Sequence, residues 1–267
     1  MTQTLTVRIL GSGCSTGVPR IDGYWGACDP ANPKNRRTRC SAWFGLSDGI
    51  GLTSVVIDTS PEFREQMIRA RVPHIDAILW THDHADQTHG LDDMRAYTFA
   101  REHKIDGYMD EATYQSLSRR FAYIFTGNHG YPPICNPRHI PAHGEAWGVS
   151  GAGGYLAVTT FDQAHGPIRS VGYRLGDVAY SSDISGLPEE SLEALKDLNV
   201  WIVDCLRYKP HPTHAHLEKT LGWIERIKPE RAILTNLHQD MDYEALKAIL
   251  PSHVEPAYDQ MEIQIVL

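Results

Sequence analysis

The chain has 267 residues, with 25 Lys and Arg against 33 Asp and Glu, a formal charge of −8. Hydrophobic residues make up 42% and charged residues 22%, which excludes a disordered chain, and no run approaches the roughly 20 apolar residues that a membrane helix needs. The acidic balance argues against broad electrostatic binding to nucleic acid or an anionic membrane, while 14 histidines beside 5 cysteines suggest metal chemistry without thiolates.

Residues 1–10 alternate like a strand, Leu5 to Leu10, and carry no basic-then-apolar leader. Cys14, Cys28, Cys40, Cys135 and Cys205 are odd in number and far apart, so neither a disulfide framework nor a CxxC zinc knuckle is written here. A cytoplasmic setting is therefore the default expectation. A glycine-studded turn, Gly11-Ser-Gly-Cys-Ser-Thr-Gly17, leads into a long irregular segment over about 18–39. Val55 to Ile57 reads as a short buried strand ending at Asp58. A helix is expected next, with Ser60 as its N-cap, Pro61 in its first position and Phe63, Met67 and Ile68 on one face. Ile75 to Trp80 is another apolar strand, and it runs straight into Thr81-His-Asp-His-Ala-Asp86.

The Gly-rich stretch Gly148 to Gly154 reads as a tight turn joining two halves, about 1–150 and 151–267, of a single domain over 1–267. Beyond it, strands are predicted over 155–161, 170–175, 178–181, 200–204, 232–235 and 261–267. Helices are predicted over 188–198 and 243–250, and over 213–227, where Leu217, Leu221, Ile224 and Ile227 recur at helical spacing. Each half is a run of strands with helices outside. The fold class is α/β, two sheets packed together in a four-layer αββα sandwich.

The sharpest local signal is His82-Asp-His84-Ala-Asp86. Alternate side chains of an extended segment point the same way, so His82 and His84 can face one ion and Asp86 a neighbouring one. Imidazole and carboxylate suit Zn²⁺, Mn²⁺ or Fe²⁺ better than Ca²⁺. His165, Asp183 and His238 each fall just past a predicted strand, where side chains from several strands can converge on one sheet edge.

These residues resemble the metallo-β-lactamase superfamily, whose pattern is His-x-His-x-Asp-His followed by a distant His, an Asp and a final His. Gly11-Ser-Gly13 with Gly17-Val-Pro19, Arg36-Arg37-x-Arg39-Cys-Ser41, and Thr81-His-Asp-His with Gly90-Leu are most similar to one branch of it. That branch holds the carbon–phosphorus lyase accessory phosphodiesterase and the tRNA 3′-processing endonuclease. The resemblance implies two divalent transition-metal ions, Zn or Mn. One would sit on His82, His84 and His165, the second on Asp86 and His238, with Asp183 bridging both and Asp58 supporting the site through hydrogen bonds. Gln87 stands where the family has a second-site histidine; His89 is the nearby substitute. The first long loop carries only Cys28, so the structural zinc of some relatives is not expected.

The expected function is hydrolysis of a phosphodiester, small and cyclic or nucleotide-like, by a hydroxide formed between two ions about 3.5–4 Å apart, with Asp86 and Asp183 shaping the site. His214, before the amphipathic segment, is the expected general acid, with His216 as the alternative. Ser12 in the glycine turn, Arg37 with its neighbours Arg36 and Arg39, and His129 and Tyr131 in an insert between the halves are candidate substrate contacts; each also has a purely structural reading. The rivals are an RNA endonuclease, a thioester or lactam hydrolase, and a metal-binding protein without catalysis. A small-molecule partner is favoured, no membrane partner is expected, and a homodimer is left open.

Overall fold

The computed structural model describes residues 2–101 and 103–267. The first sheet holds β1 (Thr4–Gly11), β2 (Ser41–Ser47), β3 (Leu52–Ile57), β4 (Ala77–Leu79), β5 (Ile105–Met109) and β6 (Cys135–His139), in that spatial order. The second follows with β7 (Ala146–Gly151), β8 (Gly154–His165), β9 (Ile168–Leu175), β10 (Val178–Ser181), β11 (Val200–Asp204), β12 (Arg231–Thr235) and β13 (Val254–Pro256). The last strand, β14 (Met261–Val266), returns to the first sheet and pairs antiparallel with β1.

Period-two alternation builds the layers. In β4, Ala77 and Leu79 face the inter-sheet core with Leu5, Val7, Phe44, Tyr173 and Ile202. Ile78 and Trp80 turn outward onto Phe63, Met67 and Leu91. In β11, Val200 and Ile202 point inward, whereas Trp201 and Val203 meet Ile224 of the helix Leu217–Ile227. This is the expected four-layer sandwich. Each sheet is antiparallel in its first half and parallel in its last three pairings, β3 to β6 and β10 to β13. Such parallel strands present their carboxyl ends together, the edge where open α/β sheets place their sites.

Several local expectations are corrected. Gly148 to Gly154 does not join the halves; it lies in the β7–β8 hairpin of the second sheet. Its glycines serve close approach: a Cβ on Gly153 would lie 2.0 Å from the Leu46 carbonyl, and one on Gly51 2.0 Å from that of Ala152. The first helix begins at Phe63, not at Pro61, because the Ser60 hydroxyl is spent inside, on Gln66 Oε1 at 2.9 Å. The segment Glu189–Leu195 is 3₁₀ rather than α, held between Pro188 and the left-handed Asp197. The helix expected over 213–227 starts only at Leu217, so His214 lies in an irregular lead-in.

Asp259, just before β14, ties three distant segments together. Its Oδ1 accepts from the Ser12 amide (3.0 Å) and hydroxyl (2.9 Å), and its Oδ2 from the Thr38 amide (2.8 Å) and hydroxyl (2.7 Å). Burial pushes this carboxyl up, and the four donors pull against that shift. Asp259→Ala would leave these donors unmatched and is expected to cost about 3 kcal/mol of unfolding free energy, read from urea denaturation. A loss below about 1 kcal/mol would show that water replaces the carboxylate without penalty.

Candidate metal centre

His82, His84, Asp86 and Gln87 follow β4 in an extended segment and the short helix Ala85–Thr88. His165 is the last residue of β8, Asp183 lies two residues beyond β10, Asp204 ends β11, and Asn236 directly follows β12. Asp58, Asp183 and Asn236 all adopt left-handed backbone, with φ of 61°, 53° and 60°. Aspartate and asparagine tolerate that region better than other non-glycine residues, which suits a sharp exit from a buried strand.

His82, His84 and His165 form one compact set. Their ring centroids lie 4.5 Å (82 to 84), 5.1 Å (82 to 165) and 5.1 Å (84 to 165) apart. A second set, His165, Asp183 and His214, shares His165 with the first. Asp183 Oδ1 stands 4.0 Å from His165 Nε2 and 3.7 Å from His214 Nδ1.

The tautomers follow from what lies behind each ring. Thr81 donates its hydroxyl to Asp58 Oδ2 at 2.9 Å and so accepts from His82 Nδ1, also at 2.9 Å. His165 Nδ1 donates to the Thr213 carbonyl at 2.8 Å. Each ring thus turns an unprotonated Nε2 inward. His82 Nε2 is buried without a hydrogen-bond partner among the described residues, and His165 Nε2 faces His84 Nδ1 at 3.4 Å. A cation would satisfy these converging lone pairs, and the carboxylate beside them completes a donor set suited to a divalent transition metal. Electrostatics agree. Burial, then the neighbouring imidazoles, hold His82 well below the usual histidine range, so its lone pair stays available. Burial pushes Asp183 up, while the charges of His214 and His165 act in the opposite sense. Asp86, half-buried, is pushed up to about 6, first by loss of solvent and then by the charge of Asp183.

His214 is the best-held acid–base group. Its Nδ1 lies 3.0 Å from Asp204 Oδ2, which also accepts from the Ile184 amide at 3.0 Å. Burial lowers its affinity for a proton, but Asp204, Asp183 and Asp86 more than offset this and raise its pKa to about 9. His216 instead stands at the N-cap of the helix Leu217–Ile227. Sequence reasoning missed Asp204 and Asn236. Both carry the same signal that singled out Asp183, a small polar residue at the end of a buried strand.

Other expected site residues lie elsewhere. The ring of His238 sits beside Asp240, Nδ1 to Oδ2 3.2 Å, and joins neither histidine–carboxylate set among the described residues. Its backbone amide is bound to the Leu206 carbonyl, which fixes the loop this way. His89 caps the helix Ala85–Thr88 and lays its ring against Phe121. Ser12 is no anion contact: its amide and hydroxyl are both spent on Asp259, and the Gly13 amide on the Thr38 carbonyl. Arg37 does not reach outward either. It is buried, donating to the Met241 and His238 carbonyls, to Asn35 Oδ1 and to Cys28 Sγ. Arg39 pairs with Glu62 at 2.7 Å. His129 and Tyr131 are exposed and line a surface hollow with Tyr123, Arg95 and Phe99.

Comparison with known proteins gives the chain's family and fold. The model of the beta-lactamase superfamily domain matches residues 53–236. The crystal structure of a diphosphatase from the PhnP family is 34% identical, with a TM-score of 0.85 over 100% of this chain and 99% of that one. Zinc-bound PqqB from Methylobacterium extorquens (17% identical, TM-score 0.72, 97% of this chain and 99% of that one) shares the fold. So does the short form of human tRNase Z (14% identical, TM-score 0.67, 97% and 98%). A curated protein of Porphyromonas gingivalis (strain ATCC BAA-308 / W83) named octanoyltransferase is 31% identical over 262 residues. That match covers 95% of this chain but 50% of the relative, so the chain spans about half the relative's length. The chain belongs to the beta-lactamase superfamily, on the metallo-β-lactamase fold of its metal-dependent hydrolases.

Proposed function

We infer that the chain hydrolyses a small phosphodiester, cyclic or nucleotide-like, with divalent transition metal, zinc or manganese, as its cofactor. The observation that carries this reading is the convergence of His82, His84, His165 and Asp183 beside a histidine backed by its own carboxylate, His214 on Asp204. The metal, when bound, would polarise a phosphoryl oxygen and make water nucleophilic near neutral pH. Phosphoryl chemistry of this kind needs no Ser or Cys nucleophile, and the five cysteines are all buried.

The chain's own residues supply orientation and a proton. Asp58 and Thr81 fix the His82 ring, and the Thr213 carbonyl fixes His165, so both present Nε2. Asp204 holds His214 through Nδ1, which leaves its Nε2 free to give a proton to the departing oxygen. Asp183 sets negative charge between this donor and the histidine set. The 34% identical diphosphatase supports phosphoryl substrates over thioesters or lactams, and makes a diphosphate linkage the second substrate to try. Against RNA stands the −8 charge.

Metal analysis of the reloaded protein is expected to find bound zinc or manganese, and complete absence would remove the basis of the reading. Bis-aryl phosphodiesters are expected to turn over at least about tenfold faster than an aryl phosphomonoester or a β-lactam; the reverse order would overturn the substrate class. His214→Gln is expected to keep metal but lose about 10²–10³-fold in kcat on diesters with alkoxide leaving groups. Its loss on nitrophenolate esters should be much smaller, since that leaving group needs no proton. Equal losses on both would move the acid elsewhere, to His216 first.

A further inference from the structure

We propose that this site takes one divalent ion per chain, not two, because two side-chain amides, Gln87 and Asn236, stand where a second ion would need ligands. This rests on the metal-hydrolase reading above and sharpens it.

Bridging two ions through both of its oxygens would need each oxygen of the Asp183 carboxylate open. Its Oδ1 faces the imidazoles of His165 and His214, at 4.0 and 3.7 Å. Its Oδ2 is already capped: Gln87 Nε2 donates to it at 2.8 Å and reaches Asp86 Oδ2 at 3.4 Å. An N–H thus sits between the two carboxylates that a second ion would have to join. Gln87 is fully buried, so its amide is not a surface group that swings aside freely. Turning the amide over would set Oε1 against two carboxylate oxygens and give up both donations.

The far side of the site has the same character. The residue that leaves β12 toward the site is Asn236, buried, its Nδ2 3.2 Å from His214 Nδ1. His238, expected to serve the second ion, lies two residues on with its ring against Asp240. His89 is turned onto Phe121. Among the described residues Asp86 joins neither histidine–carboxylate set, and an amide oxygen is a weak donor beside imidazole for zinc. By contrast His82, His84 and His165 form a three-imidazole donor set for one ion, with Asp183 Oδ1 4.0 Å from His165 Nε2 beside it.

The test is stoichiometry, independent of turnover. The full chain is stripped with chelator, then titrated calorimetrically with Zn²⁺ and separately with Mn²⁺, with metal content measured by mass spectrometry after desalting. One ion per chain, in a single binding phase, is expected. Two ions, or a second phase, would overturn the proposal while leaving the metal-hydrolase reading intact. No binding would end that reading and this proposal with it. Gln87→His with Asn236→His, checked for folding by circular dichroism, is expected to raise the count from one to two. A folded double variant that still binds one ion would overturn the role assigned to the two amides.

Discussion

Burying Asp183 is the constraint around which the rest of the site is arranged. A carboxylate taken fully out of water is costly unless it is met by charge or by donors. Here the companions come from both sheets: Gln87 from the turn after β4, His165 from the end of β8, and His214 from the lead-in to a helix. Each must arrive from a different part of the chain for the charge to be tolerated. The sandwich brings them together because β4 of one sheet and β8 and β10 of the other all end beside this site. Inward imidazole lone pairs and the carboxylate converge there, a ready donor set for a cation.

Much of this was legible in the sequence, for a specific physical reason. His82 and His84 are two residues apart in an extended segment after a strand, so local geometry alone aims them together. His165 and Asp183 could be read because each follows a recognisable buried strand. Legibility failed where the deciding partner is distant. Ser12 in a glycine turn looks like an anion contact until Asp259, 247 positions away, takes its hydroxyl. Arg37 looks like a phosphate clamp until the Met241 and His238 carbonyls claim its guanidinium. His238 drew attention as the histidine after β12, yet the first side chain past that strand is Asn236. Residue type alone gave a metal-seeking eye no reason to stop at an amide.

Ordering of the layers was read correctly from alternation and helical spacing, whereas the division of the chain was not. A glycine-rich run has two physical meanings, conformational freedom and the absence of a Cβ. Around Gly153 the second applies: hairpins of the two sheets touch backbone to backbone, with Gln3 Nε2 donating to the Gly153 carbonyl at 2.8 Å and Thr53 Oγ1 to that of Gly154 at 2.7 Å. That contact cements the two sheets instead of parting them.

The return of β14 to β1 has a consequence for how the molecule comes into being. The strand that closes the first sheet, and Asp259 just ahead of it, are made after every residue of the site. During synthesis the second sheet can assemble from neighbouring strands, whose pairings are local. The first sheet must wait with one edge bare, and the turn holding Ser12 and Thr38 waits unclamped. A growing chain therefore owns all of its candidate ligands well before it owns the frame that keeps them in place. Completion of the site is tied to a segment synthesised after all of its candidate ligands.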